Sequence, residues 1–131
     1  PTSGAVAVVT STYNGMPPDN AAAFSKWLGA LGAGGAAGVR YAVFGVGNSQ
    51  WSATFQAFPK RVDVGLAKAG AAQLAPLATV DVDQAGVTDA FDDWADDLVA
   101  TLGAAVRVWG RLAATAAAAL MATGIRCAQG R

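Results

Sequence analysis

Ala5-Val6-Ala7-Val8-Val9, followed by Thr10-Ser11-Thr12-Tyr13-Asn14-Gly15-Met16-Pro17-Pro18-Asp19-Asn20, is the stretch that decides the fold. Its first five residues are an apolar run rich in β-branched side chains, and such a run reads as a parallel-sheet strand buried on both faces. A polar loop follows, and Asp19 or Asn20 is placed to cap a helix. Phe24, Trp27, Leu28 and Leu31 then recur at the i, i+3, i+4, i+7 spacing of a helical face, until the glycines at 32, 34 and 35 stop it. The same phrase repeats downstream. Val39 to Phe44 reads as a strand and Gly45-Val46-Gly47-Asn48-Ser49-Gln50-Trp51 as its loop. Phe55, Phe58, Val62 and Leu66 mark a helix in which Pro59 is either a starter or a kink. Gln73 to Val80 is a weaker strand, broken by Pro76, which suits a sheet edge or an irregular entry. After Asp81 to Gly86, Phe91, Trp94, Leu98 and Leu102 mark a third helix, with Asp89, Asp92 and Asp93 where the helix dipole favours negative charge.

Three strand–loop–helix units in succession predict a doubly wound α/β fold with a parallel sheet. Ligands of such folds bind beyond the carboxyl ends of the strands, so loops 10–18, 45–54 and 80–86 are the ones to read for function. Composition excludes much chemistry. The 131 residues contain no histidine and one cysteine, which removes Ser-His-Asp and Cys-His catalysis, common zinc sites and an internal disulfide. No catalytic residue and no metal ligand is expected. Nine basic residues balance nine acids, arguing against a nucleic-acid binder that works through bulk positive charge. About a quarter of the chain is alanine, so the core is thinner than the 53% apolar content implies.

In the loops named, Tyr13 follows the first strand and Trp51 the second. Aromatic side chains at adjacent strand ends can close on a flat ligand from both faces. Hydroxyls and amides surround them, and Gly15 and Gly47 allow close backbone approach. The two loop strings, Tyr13-Asn14-Gly15-Met16-Pro17-Pro18-Asp19-Asn20 and Tyr41-Ala42-Val43-Phe44-Gly45-Val46-Gly47-Asn48-Ser49-Gln50-Trp51, closely resemble the FMN domain of the NADPH–cytochrome P-450 reductase family. They are most similar to the reductase half of self-sufficient hydroxylases, in which a haem domain is fused to its reductase. The resemblance runs from about Pro1 to Gly103. It implies a flavodoxin-like fold in which Tyr13 and Trp51 stack on the two faces of FMN. It further implies that Thr12, Asn14 and Gly15 make loop contacts near the reactive edge. Val46, Gly47 and Asn48 would line the pyrimidine side, with Thr54, Phe55 and Gln56 just beyond Trp51. The implied role is passing electrons from an FAD/NADPH reductase domain to a haem monooxygenase domain, with FAD, NADPH and haem held only by those partners.

The resemblance also implies departures. A flavodoxin-like domain opens with a strand, a phosphate-binding loop, a helix and a second strand, and none of these precedes Ala5. The chain is thus expected to be an N-terminally truncated fragment with an unpaired edge on Ala5–Val9, binding FMN weakly or not at all. A non-functional remnant without cofactor is the alternative reading. A signalling receiver domain lacks its expected aspartate after Val9, and a nicotinamide-binding Rossmann domain lacks the third glycine after Gly45-Val46-Gly47. Asp81 and Asp83 default to a solvated loop. Asp92, Asp93, Asp96 and Asp97 form an acidic helix face, and nothing in the spacing of Arg40, Lys60 and Arg61 demands a phosphate. Residues 1–103 hold all nine Asp against five Lys/Arg, whereas 104–131 hold four Arg and no acid. The chain therefore divides into a partial flavodoxin-like domain over 1–103 and an Ala/Arg-rich tail over 104–131. With no signal peptide and no apolar run of membrane length, a cytoplasmic protein without membrane attachment is expected.

Overall fold

The apolar run at the front of the chain and its two repeats all become parallel strands. In the computed structural model, which describes residues 3–122, β1 spans Gly4–Ser11 and β2 spans Val39–Gly47. The third strand is split into β3, Ala72–Gln73, and β4, Ala78–Asp81. Helices α1 (Ala22–Ala30), α2 (Ala57–Lys68) and α3 (Val87–Ala122) complete the alternation. β2 is central: it pairs with β1 along one edge, from Gly4 with Val39 to Ser11 with Val46, and with β3 and β4 along the other. Every pairing is parallel.

The period-2 alternation of β2 divides the core between two faces. Tyr41 and Val43 point to one side, where they pack with Leu28 of α1 and Phe58, Val62 and Leu66 of α2. Phe44 belongs to the other face and meets Phe91 and Trp94 of α3, with ring centroids 5.4 and 5.2 Å away. Each such large side chain, fully buried, contributes roughly 1.5–3 kcal/mol, so β2 is the spine of the fold. β1 differs. Its composition predicts burial on both faces, yet Ala5, Ala7 and Val9 are exposed, and among the described residues β1 pairs with β2 alone. Composition records what a strand can bury, while its place in the sheet decides what covers it.

Other expectations shift locally. Neither Asp19 nor Asn20 caps a helix with its side chain; they form a 3-10 turn, Asp19–Ala21, closed by Ala21 N–H donating to Pro18 O at 2.8 Å, and α1 begins after it. β2 continues through Gly45, Val46 and Gly47, which the sequence pattern assigns to a loop, because β4 pairs with that stretch from the far side. Pro59 lies in the first turn of α2, where its missing N–H costs no helical bond, and so it starts the helix. Pro76 interrupts the third strand: β3 and β4 share one edge of β2 with a gap over 74–77.

The chain forms two compact units, one through Leu98 and one from Val99, within which α3 remains helical as far as Ala122. Cys127 and the rest of the tail beyond Ala122 lie outside the described residues. No helix among the described residues is long and apolar enough to cross a membrane.

Candidate functional site

At the carboxyl ends of β1 and β2 lies a cleft of about 330 Å³. The β1 loop contributes Thr12, Tyr13 and Asn14; the end of β2 contributes Gly47, and the segment after it Asn48, Trp51, Thr54, Phe55 and Gln56. Nine of the eleven residues named from the sequence therefore line one concavity. Two do not. Val46 lies against the groove beside β1, and Gly15 sits behind the wall, where a Cβ would meet Thr54 Cγ2 at 3.2 Å.

Tyr13 is presented by a tight turn where the sequence pattern predicts open loop. Tyr13 N–H donates to Met16 O at 3.0 Å and Met16 N–H to Tyr13 O at 2.8 Å, around Asn14 and Gly15 at φ 48° and 78°. Two successive positive φ values are the mark of a hairpin turn for which Asn-Gly is the preferred pair, and that dipeptide is the signal that could have revealed it. Thr12 anchors the same loop. Its hydroxyl accepts the Phe58 N–H at 2.8 Å, so the loop is fastened to the first turn of α2.

Trp51 is carried on two short 3-10 turns, Ser49–Thr54, and itself occupies a non-helical conformation between them. Asn48 starts this arm, its side chain accepting the Gln50 N–H at 2.8 Å. Gln56 ends it. Tyr13 and Trp51 keep 73% and 67% of their surfaces exposed, although both are large rings lining one cleft. The outer side of Trp51 borders a second hollow with Ser52 and Ala53, so the indole stands as a wall and fills no core.

The rim is polar and bolted to the third loop. The Asp81 carboxylate accepts the N–H groups of Ser49 and Asp83, each at 3.1 Å, and the Gln50 amide donates to Asp83 at 2.8 Å. The Ser49 side chain acts first, against an opposing effect of desolvation, and the backbone N–H groups of Asp83 and Ser49 add to it, so the Asp81 carboxyl is held below its usual range. Sequence spacing leaves this role unassigned because the partners are 32 residues apart.

FMN makes two demands on such a site, and the residues meet one. A flat ring would find two exposed aromatic side chains and polar groups at Asn14, Asn48 and Thr54. The phosphate is not served: among the described residues no Lys or Arg lines the cleft, and the Phe58 N–H at the nearby helix start already has Thr12. Arg61 lies over the Phe58 ring, 5.1 Å from its centroid. Among the described residues no cluster of acids or cysteines is arranged to hold a metal.

A family model described as Flavodoxin matches residues 1–94. Bifunctional cytochrome P450/NADPH--P450 reductase 2 of Bacillus subtilis (strain 168) is 45% identical over 94 residues, covering 72% of this chain and 8% of that protein. The bifunctional cytochrome P450/NADPH--P450 reductase of Aspergillus oryzae is 41% identical over 97 residues, 73% of this chain and 9% of the relative. The chain thus spans a tenth or less of the curated relatives it matches. Among solved structures, a cysteine-to-serine mutant of flavodoxin from Pseudomonas aeruginosa aligns with a TM-score of 0.64 at 25% identity, over 76% of this chain and 67% of that one. Similarity of this extent gives no support to the alternative of a remnant. With parallel strands, flanking helices and a cleft at the strand ends all in the expected order, the chain belongs to the flavodoxin family.

Proposed function

We propose that this chain is an FMN-binding electron-transfer module that works between an FAD/NADPH reductase domain and a haem monooxygenase domain. One observation carries the reading: Tyr13 and Trp51, delivered by separate loops, line a single cleft while most of each ring stays exposed. Leaving two large aromatic rings in water forgoes burial energy, and a planar ligand stacked on them recovers it. The bifunctional reductases to which the chain is similar supply the partners.

The bound flavin would supply one-electron chemistry. The chain's own residues have other tasks. Tyr13 and Trp51 cover the ring faces and exclude water from them; Asn14, Asn48 and Thr54 offer hydrogen bonds to its polar edges. None needs to give or take a proton, in keeping with a chain that lacks histidine. The acidic face with Asp92, Asp93 and Asp96 steers a basic surface of a partner domain. Among the described residues no cation lines the cleft to meet the phosphate, so affinity for FMN rests on the ring and is weak. A cytoplasmic location fits a single cysteine and redox partners of this kind.

The test is an FMN titration followed by flavin fluorescence. Trp51→Ala is expected to weaken binding by roughly 1–3 kcal/mol, the size of one stacking contact. Because Trp51 is exposed, the urea midpoint of the variant should stay where it is. An unchanged dissociation constant rejects Trp51 as a stacking residue.

A further inference from the structure

Gln56 is the most unusual residue of the cleft. It is 1% exposed, the one buried polar residue among the described positions, and its backbone lies in the left-handed region at φ 58°, ψ 24°. Glutamine is not favoured there, so the surrounding structure must hold it in place. What holds it is its own amide. Nε2 donates to Gly45 O at 3.2 Å and to Val80 O at 2.9 Å, tying the end of β2 to the end of β4. Oε1 has no partner and is pressed against the backbone at Gly45, where a Cβ would stand 2.5 Å from it; at Gly47 a Cβ would stand 2.9 Å from Nε2. The two glycines make the seat into which this side chain fits.

Gln56 also ends the arm that carries Trp51. The arm is fixed at its start by Asn48, and the indole itself is exposed between two hollows. We propose that Gln56 is a positioning residue: its buried amide, seated on Gly45 and Gly47, fixes the Trp51 wall and keeps the cleft open without a ligand. This deepens the flavin-site reading and rests on it for the identity of the ligand. The positioning itself is measured with no flavin present.

Two variants separate the role from mere stability. Gln56→Asn keeps an amide and tolerates positive φ, but is one methylene too short to reach both carbonyls. Gln56→Glu keeps the length and, when ionised, has no donor; protonated, it regains one. The full chain is labelled with 5-fluorotryptophan, and the Trp51 resonance is assigned with Trp51→Phe. In Gln56→Asn the Trp51 resonance should shift or broaden while those of Trp27 and Trp94 hold, and FMN affinity should fall about tenfold, the effect of losing one to two net hydrogen bonds. In Gln56→Glu the Trp51 resonance should return toward its wild-type position as pH is lowered. A Trp51 resonance untouched by either substitution overturns the proposal, as does an equal disturbance of the Trp51, Trp27 and Trp94 resonances. If Trp51 moves as described but wild-type protein takes up no FMN, the positioning role stands and the flavin reading fails.

Discussion

Adding one methyl group to the end of β2, by Gly45→Ala, tests how rigid the floor of the cleft is. The new Cβ would stand 2.5 Å from Gln56 Oε1 and 2.7 and 2.9 Å from Pro59 Cβ and Cγ. Pro59 cannot withdraw, being a closed ring, fully buried, in the first turn of α2. Gln56 can withdraw only by surrendering its bonds to Gly45 O and Val80 O, and each is worth about 0.5–1.5 kcal/mol net. If nothing withdraws, overpacking strain costs about 1–3 kcal/mol. Replacing glycine within a strand returns about 0.5–1 kcal/mol of chain entropy against either cost, so the variant should be less stable by about 1–2 kcal/mol. Urea unfolding followed by far-ultraviolet circular dichroism should show a lower midpoint with an unchanged slope. Gly29→Ala is the internal contrast: it lies in α1 with nothing within 4 Å of the added Cβ, and should stabilise by about 0.4–1 kcal/mol. A loss below about 1 kcal/mol in Gly45→Ala would mean that the Gln56–Pro59 cradle yields easily, refuting the argument from close fit.

Two pH effects should also be measurable. Burial, then the nearby Asp63 carboxylate and a hydrogen bond to Asp63, push the Tyr41 phenol up from 10.0 to about 12. The neutral phenol is therefore favoured by folding, and its contribution of up to about 3 kcal/mol is complete below pH 10 and lost as pH rises toward 12. Tyr41→Phe should remove that part of the alkaline destabilisation in urea titrations at pH 9 to 12, and identical profiles for the two proteins would count against it. At the acid end, Asp81 is held below its usual value of 3.8. The stability it gives is present above that value and disappears as pH falls through the lowered one. The amide resonances of Ser49 and Asp83 should move together with one midpoint below 3.8, and Asp81→Asn should abolish the transition; a midpoint above 3.8 would contradict the hydrogen-bond assignment.

The alternation of apolar runs with helical faces carried the fold class, because both signals are local: periods of 2 and of 3.6 can be read within a dozen residues. The same holds for the ring walls. Tyr13 and Trp51 stand just after apolar strands, and a parallel sheet brings adjacent strand ends together whatever the intervening sequence. Three features escaped that kind of reading. The exposure of β1 depends on what stands beside it, which composition cannot report. The extension of β2 through Gly47 depends on β4, more than 30 residues later. The bolt from Asp81 to the Ser49 turn joins groups 32 residues apart. The Asn14-Gly15 turn, read only as part of a loop, had its signal in the dipeptide itself.

Sequence by itself determined the order of elements, the absence of imidazole chemistry and the two aromatic residues that form the cleft walls, because each is a property of residue type and short-range spacing. Tertiary structure decided how the floor of that cleft is built: an amide at Gln56, buried against two glycines and bonded to carbonyls from two strands. A glutamine in a sequence is polar and ordinarily solvated. Only the meeting of β2, β4 and the first turn of α2 removes it from water and makes its two N–H groups part of the scaffold.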